Sequence, residues 1–495
     1  MGHEAAAAAA VATAADDADD AAKLNVVLFP WLAFGHMIPY LELGKRLAAR
    51  GHAVTFLSTP RNVARLPPPP AHLSPRIRLV ALPAPAVEGL PEGGESTADV
   101  PADKNELVKK AVDALAAPFA AFLADAVAAG AKPDWIVNDF CCHWLPPIAD
   151  EHKVPCATFF IVQATLIAFL GPRWANAARP RRTPEDFTAP PEWCSSFPPA
   201  IAFRRHEAAW TAGALFEPNA SGLSDMDRAW RTVERSRLVL YRGCEEIEPG
   251  VFALLADLFH KPAIPAGVLF QPDLDGDVAD GADDGGAGAR PEVLRWLDTQ
   301  PPESVIYVAL GSEAPVTAGD VHELALGLEL AGVRFLWAFR KPAGALAPDG
   351  GAAALLPPGF EGRTRGRGLV RTAWVPQARA LAHGAVGAFL THCGWGSTVE
   401  GLALGRPLVM LPFVADQGLI ARAMAERGVG VEVARDGDGS FRRDAVAAAV
   451  RRVMVEEEGK VFAGNARKMR EVLGDQRRQD QYMDELVGHL RRYKD

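Results

Sequence analysis

Two side chains in the N-terminal half could together carry out acid–base chemistry. His36 lies in a loop, residues 30–39, that follows a predicted strand, and Asp139 directly follows another predicted strand. A histidine titrates near neutral pH and can take a proton from a hydroxyl group. A carboxylate beside it would orient the ring and stabilise the imidazolium that forms. The alternative is that His36 is an exposed residue at a helix start and Asp139 a turn carboxylate at a strand end.

A second cluster lies in the C-terminal half, between Trp374 and Gln417. A predicted strand ends near Thr391 and is followed by His392, a glycine-rich turn and a predicted helix that runs to Leu404. Helix N-termini present unpaired N–H groups to anions, and parallel sheets bind ligands beyond the carboxyl ends of their strands. Taken singly, Trp374 is more typical of a core residue and His392 of a loop residue. Their joint occurrence in this context favours a diphosphate site.

Both clusters need parallel sheets to position them. Residues 24–29 form an apolar run typical of a buried strand, residues 38–50 have helical spacing of apolar side chains, and residues 53–57 form the next strand. This order predicts a right-handed parallel βαβ unit. The pattern restarts at residues 304–310, with further strand candidates at 335–339, 369–372, 386–390 and 408–411. The sequence therefore predicts an α/β protein with two doubly wound, Rossmann-like domains.

Composition shifts along the chain predict where these domains begin and end. An Ala/Asp-rich stretch at the start and an Asp/Gly/Ala-rich stretch in the middle cannot bury enough apolar surface to order themselves. The predicted segments are a disordered tail at 1–23, an N-terminal domain at 24–270, a linker at 271–290, a C-terminal domain at 291–479 and a final helix at 480–495.

The overall composition excludes several function classes. The chain has 495 residues and a formal net charge of −9, and without a basic stripe it is not suited to nucleic acid. The six cysteines lack the spacing of a metal finger or a disulfide framework, which favours a reducing compartment. The N-terminus lacks the features of a signal peptide, and no stretch was identified as a membrane span. We expect a cytoplasmic monomer.

Two D-x-D triplets could suggest a metal-dependent enzyme. They are Asp275–Gly276–Asp277 and Asp436–Gly437–Asp438, and both lie in stretches rich in Gly and Asp. The first also resembles the opening of a calcium loop, but it has Val278 where glycine is required. Solvated loop charge is the better interpretation, so the sequence predicts no metal site.

The segment from Trp374 to Gln417 resembles the plant secondary product glycosyltransferase box, which is the donor signature of family 1 UDP-glycosyltransferases. The matching positions are Trp374, Pro376, Gln377, His383, Gly387, Phe389, His392, Cys393, Gly394, Trp395, Ser397, Glu400, Pro407, Pro412, Asp416 and Gln417. The resemblance implies GT-B architecture, in which two Rossmann-like domains face each other across a cleft. In such an architecture residues 24–270 would bind the acceptor, residues 291–479 would bind the donor, and the helix at 480–495 would cross back to the N-terminal domain. The resemblance also implies UDP-glucose as co-substrate, with no cofactor and no metal.

The resemblance implies a role for each position of the donor site. Trp374 would stack on the uracil ring, and Glu400 with Gln377 would bind the ribose hydroxyls. Asp416 and Gln417 would hold the transferred sugar, and glutamine in the last place resembles the members that use glucose. The other implied donor-binding positions are Ser312, Val375, His392, Gly394, Trp395, Gly396 and Ser397.

Gly396 departs from the family pattern, which commonly has asparagine here. Glycine offers no side-chain donor, and the loss of one hydrogen bond to a buried phosphate oxygen costs about 1 to 3 kcal/mol. A backbone N–H or a water could take its place. The departure leaves open a nucleotide-sugar binding protein without turnover, although retention of both His36 and Asp139 favours an enzyme.

The resemblance also implies the reaction and its acceptor. His36 would be the base and Asp139 its activating carboxylate, and direct displacement on an α-linked donor would give a β-linked product. Residues 31–36 and 58–62 resemble the branch that extends the sugar of steviol or flavonoid glycosides, often with a β-1,2 linkage. Candidate acceptor-binding residues are Phe34, His143 and Trp144, and the last two could instead pack in the core. The alternative acceptor is an aglycone hydroxyl.

Overall fold

A computed structural model describes residues 23–270, 291–311, 314–339 and 352–495. These residues form two parallel β-sheets, each flanked by helices, so the predicted α/β architecture with two Rossmann-like units is confirmed. The predicted linker at 271–290 and residues 1–22 of the predicted tail lie outside the described residues.

The first sheet has seven strands: β1 (Asn25–Phe29), β2 (Ala53–Ser58), β3 (Ile77–Ala81), β4 (Trp135–Asn138), β5 (Cys156–Phe160), β6 (Leu238–Tyr241) and β7 (Ala263–Pro265). Their spatial order is β3-β2-β1-β4-β5-β6-β7. The central strands are buried over nearly their whole length because helices cover both faces of the sheet. The chain reverses its direction of strand addition between β1 and β4, and the carboxyl ends of such neighbours border a ligand crevice.

The second sheet has six strands: β8 (Val305–Ala309), β9 (Arg334–Ala338), β10 (Gly368–Arg371), β11 (Val386–Thr391), β12 (Leu408–Met410) and β13 (Gly430–Glu432). Their order is β10-β9-β8-β11-β12-β13, and the reversal lies between β8 and β11. Each sheet therefore offers one crevice at the carboxyl ends of its central strands.

Helices connect the strands in both halves. In the N-terminal half they are α1 (Phe34–Ala49), α2 (Pro60–Arg65), α3 (Asn105–Ala114), α4 (Ala116–Ala128), α5 (Leu145–Glu151), α6 (Ala164–Leu170), α7 (Arg173–Ala178), α8 (Arg205–Phe216), α9 (Asp225–Arg235) and α10 (Val251–Phe259). In the C-terminal half they are α11 (Glu292–Asp298), α12 (Ala318–Ala331), α13 (Phe360–Arg363), α14 (Gln377–Ala382), α15 (Trp395–Ala403), α16 (Gln417–Glu426), α17 (Arg443–Met454), α18 (Glu457–Leu473) and α19 (Gln476–Arg492). Short 3₁₀ helices span Thr97–Asp99, Ala102–Lys104, Pro184–Phe187, Glu192–Cys194 and Ala352–Leu355.

Helix α1 begins earlier than the sequence predicts. The apolar spacing placed its start at Ile38, but the helix begins at Phe34 and contains Pro39. Pro39 is the sixth residue of the helix, past its first turn, and it lacks the N–H that would donate to the carbonyl oxygen of Gly35. His36 therefore lies in the first turn of α1 rather than in the loop before it.

The last helix, α19, lies against the N-terminal half. Its side chains Met483, Leu486 and Leu490 belong to the apolar core on one face of the first sheet. Trp135 of β4 donates a 2.8 Å hydrogen bond from its Nε1 to the carbonyl oxygen of Leu490. The helix starts at Gln476, before the predicted residue 480, because the Asp475 side chain accepts hydrogen bonds from the first turn.

One helical stretch, Asn105–Ala128, is long and apolar enough by length and composition to cross a membrane, which the sequence analysis did not anticipate. In the structure Leu115 separates it into α3 and α4. Val108, Phe119 and Leu123 are fully buried in the core on the other face of the first sheet. The stretch thus contributes its largest apolar side chains to the fold of the N-terminal half.

Candidate active site between the two sheets

The first sheet brings His36 and Asp139 together. In β1 and β4, which are neighbours, Phe29 pairs with Asn138, so the residues that follow these strands leave the sheet side by side. Asp139 is the residue directly after β4, and α1 carries His36 in its first turn. His36 Nδ1 lies 2.7 Å from Asp139 Oδ2. The two residues predicted from separate parts of the chain therefore form one hydrogen-bonded pair.

Backbone N–H groups fix the Asp139 carboxylate. Trp31 N donates to Oδ2 at 3.0 Å and Phe140 N donates to Oδ1 at 2.8 Å. The Asp139 side chain is 1% exposed, whereas that of His36 is 18% exposed. Because an ionised carboxylate only accepts hydrogen bonds, His36 Nδ1 carries the proton in this pair and Nε2 keeps its lone pair. The ring is thus oriented so that a base is available at the surface of the crevice.

Two of the predicted acceptor-binding residues, Trp144 and Phe34, have different surroundings. Trp144 packs edge-on against Phe29 and Phe119, with ring centroids 5.7 Å apart in both pairs, which supports its interpretation as a packing residue. Phe34 lies in α1 beside His36, and the guanidinium of Arg65 lies 4.8 Å from the centre of its ring.

His143 lies on the side of α3 and α9. Its Nδ1 is 3.9 Å from Asp113 Oδ1, and burial, with Arg228 nearby, lowers the pKa of His143. His143 therefore lies next to Asp113 and Arg228, which form an ion pair at 2.6 Å. The described contacts of His143 are therefore with α3 and α9 rather than with His36.

Phe140 contacts His36 although the sequence analysis did not single it out. The centroids of the two rings are 5.9 Å apart, and Phe140 also neighbours Trp31 at 6.2 Å. The available signal was its position directly after Asp139, at the carboxyl end of β4. Phe140 therefore adds an aromatic wall beside the base.

In the second sheet, His392 occupies a cradle made by glycines. It follows β11, and its ring lies so close to Gly311 and Gly394 that a Cβ at these positions would approach ring atoms to 2.8 and 2.5 Å. Burial lowers the pKa of His392 to about 4, so the ring is neutral at pH 7. Its Nδ1 is buried and has no hydrogen-bond partner within the described part of the chain. A neutral imidazole here can offer one N–H donor to an anion at the start of α15.

The residues predicted to bind the nucleoside form a connected group. Trp374 is 56% exposed at the surface of the cleft, as a stacking platform requires, whereas Val375 is buried. Gln377 Nε2 donates to Glu400 Oε2 at 2.7 Å, and Tyr307 of β8 donates to Gln377 Oε1 at 3.4 Å. Burial raises the pKa of Glu400, and the hydrogen bond from Gln377 opposes this shift.

Asp416 and Gln417 start helix α16 and are nearly buried. Gln417 Oε1 accepts hydrogen bonds from the N–H groups of Phe413 at 2.8 Å and Val414 at 3.1 Å. Burial raises the pKa of Asp416 to about 6, and the charge of His36 opposes that shift. His36 of the first sheet and Asp416 of the second are therefore electrostatic neighbours, and the predicted base and the predicted sugar-binding carboxylate border one cleft.

Trp395, Gly396 and Ser397 form the first turn of α15. The Trp395 indole N–H donates to the carbonyl oxygen of Arg242, 2.7 Å away, so this turn is attached directly to the N-terminal half. Arg242 was missed by the sequence analysis. The signal that could have found it is its position directly after β6, at the same sheet edge as His36 and Asp139. The predicted donor-binding residue Ser312 lies outside the described residues.

The metal alternatives have no support from the described parts of the chain. The first D-x-D triplet lies in residues 271–290, outside the described residues. In the second, Asp438 Oδ1 accepts a 2.7 Å hydrogen bond from Ser440 Oγ, and Asp436 pairs with Arg442 at 3.0 Å. Within the described ranges, no three His, Cys, Asp or Glu side chains are grouped so that they could hold a metal ion.

Comparison with known proteins agrees with this geometry. Residues 288–478 match the family described as UDP-glucoronosyl and UDP-glucosyl transferase. The chain is 42% identical to UDP-glycosyltransferase 91D1 of Stevia rebaudiana, over 95% of this chain and 93% of the relative. It is 36% identical to a soyasaponin III rhamnosyltransferase of Glycine max, over 95% of this chain and 96% of the relative.

The chain belongs to the plant family 1 UDP-glycosyltransferases. Among solved structures, Os79 from O. sativa in complex with UDP resembles it with a TM-score of 0.72 and 25% identity, over 94% of this chain and all of that one. The present chain has the GT-B fold of these solved glycosyltransferases, as the sequence predicts.

Proposed function

We propose that this UDP-glycosyltransferase transfers glucose from UDP-glucose to a sugar hydroxyl of a small diterpenoid or flavonoid glycoside, forming a β-linkage. The observation that supports the chemistry most strongly is the 2.7 Å contact between His36 and Asp139, placed opposite Asp416. In this proposal His36 is the base on one side of the cleft and Asp416 is the sugar-binding carboxylate on the other.

The proposed step begins when His36 Nε2 removes the proton of the acceptor hydroxyl. The acceptor oxygen forms a bond to the anomeric carbon of glucose, and the bond from that carbon to the β-phosphate oxygen breaks. UDP leaves with the electron pair of that bond, while Asp139 stabilises the imidazolium of His36. Because the acceptor attacks from the face opposite UDP, an α-linked donor gives a β-linked product.

The charge of the departing UDP is stabilised by neutral donors in this proposal. His392 offers an N–H, and the first turn of α15 adds its backbone N–H groups and the positive end of the helix dipole. Domain closure over the donor would exclude water and so favour transfer over hydrolysis. We propose that no divalent metal is needed for this stabilisation.

The glucose assignment is supported by the contacts of Gln417. Its Oε1 is engaged by two backbone N–H groups, which holds the side chain and leaves its amide N–H groups to donate to sugar hydroxyls. Asp416 beside it can accept hydrogen bonds from the same sugar. A rhamnose donor is the second candidate, because one close relative is a rhamnosyltransferase by name.

Product analysis by mass spectrometry tests the proposal. The parent enzyme and a His36→Ala variant are incubated with UDP-glucose or UDP-rhamnose, and with matched pairs of terpenoid or flavonoid aglycones and their glycosides. We expect a hexose added to the glycosides by the parent, unchanged by a metal chelator, and almost none by the variant. Transfer to the aglycones alone, or of deoxyhexose alone, would contradict the assignment of acceptor or donor.

We also propose a cytoplasmic location. All six cysteines are buried free thiols, which suits a reducing compartment. A fluorescent fusion expressed in plant cells tests this, and signal confined to a secretory organelle would contradict it.

A further inference from the structure

Arg242 is a buried cation at the junction of the two halves. It follows β6 of the first sheet, and the residue is 6% exposed. Its Nε donates to the carbonyl oxygen of Val268 at 3.0 Å, and its own carbonyl oxygen accepts from Trp395. These bonds hold the backbone and one edge of the guanidinium, and they leave the two terminal nitrogens for another partner.

No carboxylate forms an ion pair with Arg242 among the residues that the structure describes. Glu400 and Glu42 act on it only as more distant charges. Burial lowers the pKa of Arg242 to about 10, so the group is still a cation at neutral pH. A buried cation without a paired anion is costly to the fold. Such an arrangement is characteristic of a site that receives a negatively charged ligand.

The Arg242 guanidinium lies next to the N-terminal end of α15, which is the end of a helix that favours anions. A Cβ added at Gly396 would stand 3.4 Å from Arg242 Nη1, so the absent side chain at 396 leaves its space next to this nitrogen. Gly396 and Glu400 are four residues apart and so share one face of α15. That face contains the N–H groups of the first turn as well as the carboxylate assigned to the ribose. Arg242 therefore faces the part of α15 between the predicted diphosphate and ribose positions.

We propose that Arg242 is a donor-binding residue, supplied by the N-terminal half, that pairs with the diphosphate of the UDP-sugar beside Gly396. The proposal rests on the donor assignment made above and extends it. A guanidinium can donate two parallel hydrogen bonds to phosphate oxygens, which a glycine at 396 cannot do. Arg242 would also connect the donor to the acceptor half, so that donor binding stabilises the junction between the two sheets.

Binding of uridine and UDP separates this role from a structural one. Calorimetry on the parent and on Arg242→Gln gives the dissociation constant of each ligand. We expect UDP to bind about 10- to 100-fold more weakly to the variant, while uridine binding changes less than about twofold, because only UDP carries the phosphates. Trp374→Ala is the matched control, since loss of stacking should weaken uridine and UDP by the same factor.

Two further variants sharpen the measurement. Arg242→Gln combined with Gly396→Asn adds an amide donor in the space next to the lost guanidinium, and we expect it to recover part of the UDP affinity. Arg242→Lys preserves the charge but not the paired N–H groups, and it remains informative if the glutamine variant does not fold. We expect the lysine variant to bind UDP at least about threefold more weakly, with uridine binding unchanged.

Two results would overturn the proposal. One is equal weakening of uridine and UDP by the Arg242 variants, which indicates a structural residue. The other is unchanged UDP affinity. A parent protein that binds uridine and UDP equally, or neither of them, would instead refute the donor assignment itself, so the two failures are distinguishable.

Discussion

Two histidines, one after a central strand of each sheet, lie in opposite electrostatic settings. His36 contacts a buried carboxylate at 2.7 Å and remains partly exposed. His392 is enclosed between glycines, no carboxylate pairs with it among the residues that the structure describes, and burial lowers its pKa to about 4. The first setting favours a ring that gains a proton during a reaction, and the second favours a ring that stays neutral and donates a hydrogen bond. The same side chain is thus suited to a base in one half and to an anion ligand in the other.

The largest effect is expected for His36→Ala. Removal of a general base typically lowers the rate about 10²- to 10⁴-fold, so turnover should fall by that factor. UDP affinity should change little, because the donor-binding side chains lie in the other half apart from the proposed Arg242. Steady-state kinetics and calorimetry measure both, with His72→Ala as a control at an exposed histidine. Turnover equal to that of the parent would remove His36 from the mechanism.

A smaller loss is expected for Asp139→Asn. The amide retains the shape of the side chain but cannot stabilise the imidazolium, and its NH₂ group disturbs the tautomer of His36. We expect turnover to fall about 10²-fold with the KM for UDP-glucose nearly unchanged. If turnover fell less than threefold, the carboxylate would be structural and the contrast between the two histidines would lose its basis.

A change in donor affinity is expected for His392→Ala. Loss of one hydrogen bond to a charged group should raise the KM for UDP-glucose about 10-fold. Because the pKa of His392 is about 4, this ratio should be constant from pH 6 to pH 9. KM values measured across that range check the prediction. A ratio that rises steeply toward pH 6 would show that the ring binds the donor as a cation.

A change in stability is expected for Asp416→Asn. Burial raises the pKa of Asp416 from the ordinary 3.8 to about 6, so between these values the folded chain retains a proton that the unfolded chain releases. The free energy of unfolding therefore falls as pH rises through this window. Asp416→Asn should be more stable than the parent above pH 6, by about 3 kcal/mol, and the difference should vanish toward pH 4. Denaturant unfolding at pH 4, 6 and 8 tests this, and equal stability at all three would contradict it.

The sequence predicted the fold because the strands are long apolar runs separated by helix-length segments. Residues 135–138 and 386–390, for example, were placed within one residue of the observed β4 and β11. Two features of the N-terminal half differ from the sequence prediction, namely the start of α1 and the apolar stretch of α3 and α4. The spacing of apolar residues suggested a start at Ile38 for α1, later than the observed Phe34, and the apolar stretch that forms α3 and α4 was not noticed because its alanines and charges interrupt the large side chains.

The residues of the candidate site were harder to predict from the sequence than the fold. Apart from Ser312, the donor residues predicted from the sequence lie in one continuous segment, so their pattern could be recognised, and His36 and Asp139 could be inferred from strand ends. Arg242 and Phe140 also follow strand ends, but this signal was too weak to single them out, because their relation to the site depends on how neighbouring strands and the other half are placed in space. His143 and Trp144 were ambiguous in sequence, because packing partners such as Phe119 become visible only in three dimensions.

A crystal structure of the His36→Ala variant with UDP-glucose and a glycoside acceptor would test the central claim most directly, since slow turnover would preserve the donor. The account predicts uracil stacked on Trp374, the diphosphate at the start of α15, and the acceptor hydroxyl in the space vacated by the imidazole, facing the anomeric carbon. Uracil bound elsewhere, or an anomeric carbon directed away from residue 36, would contradict it.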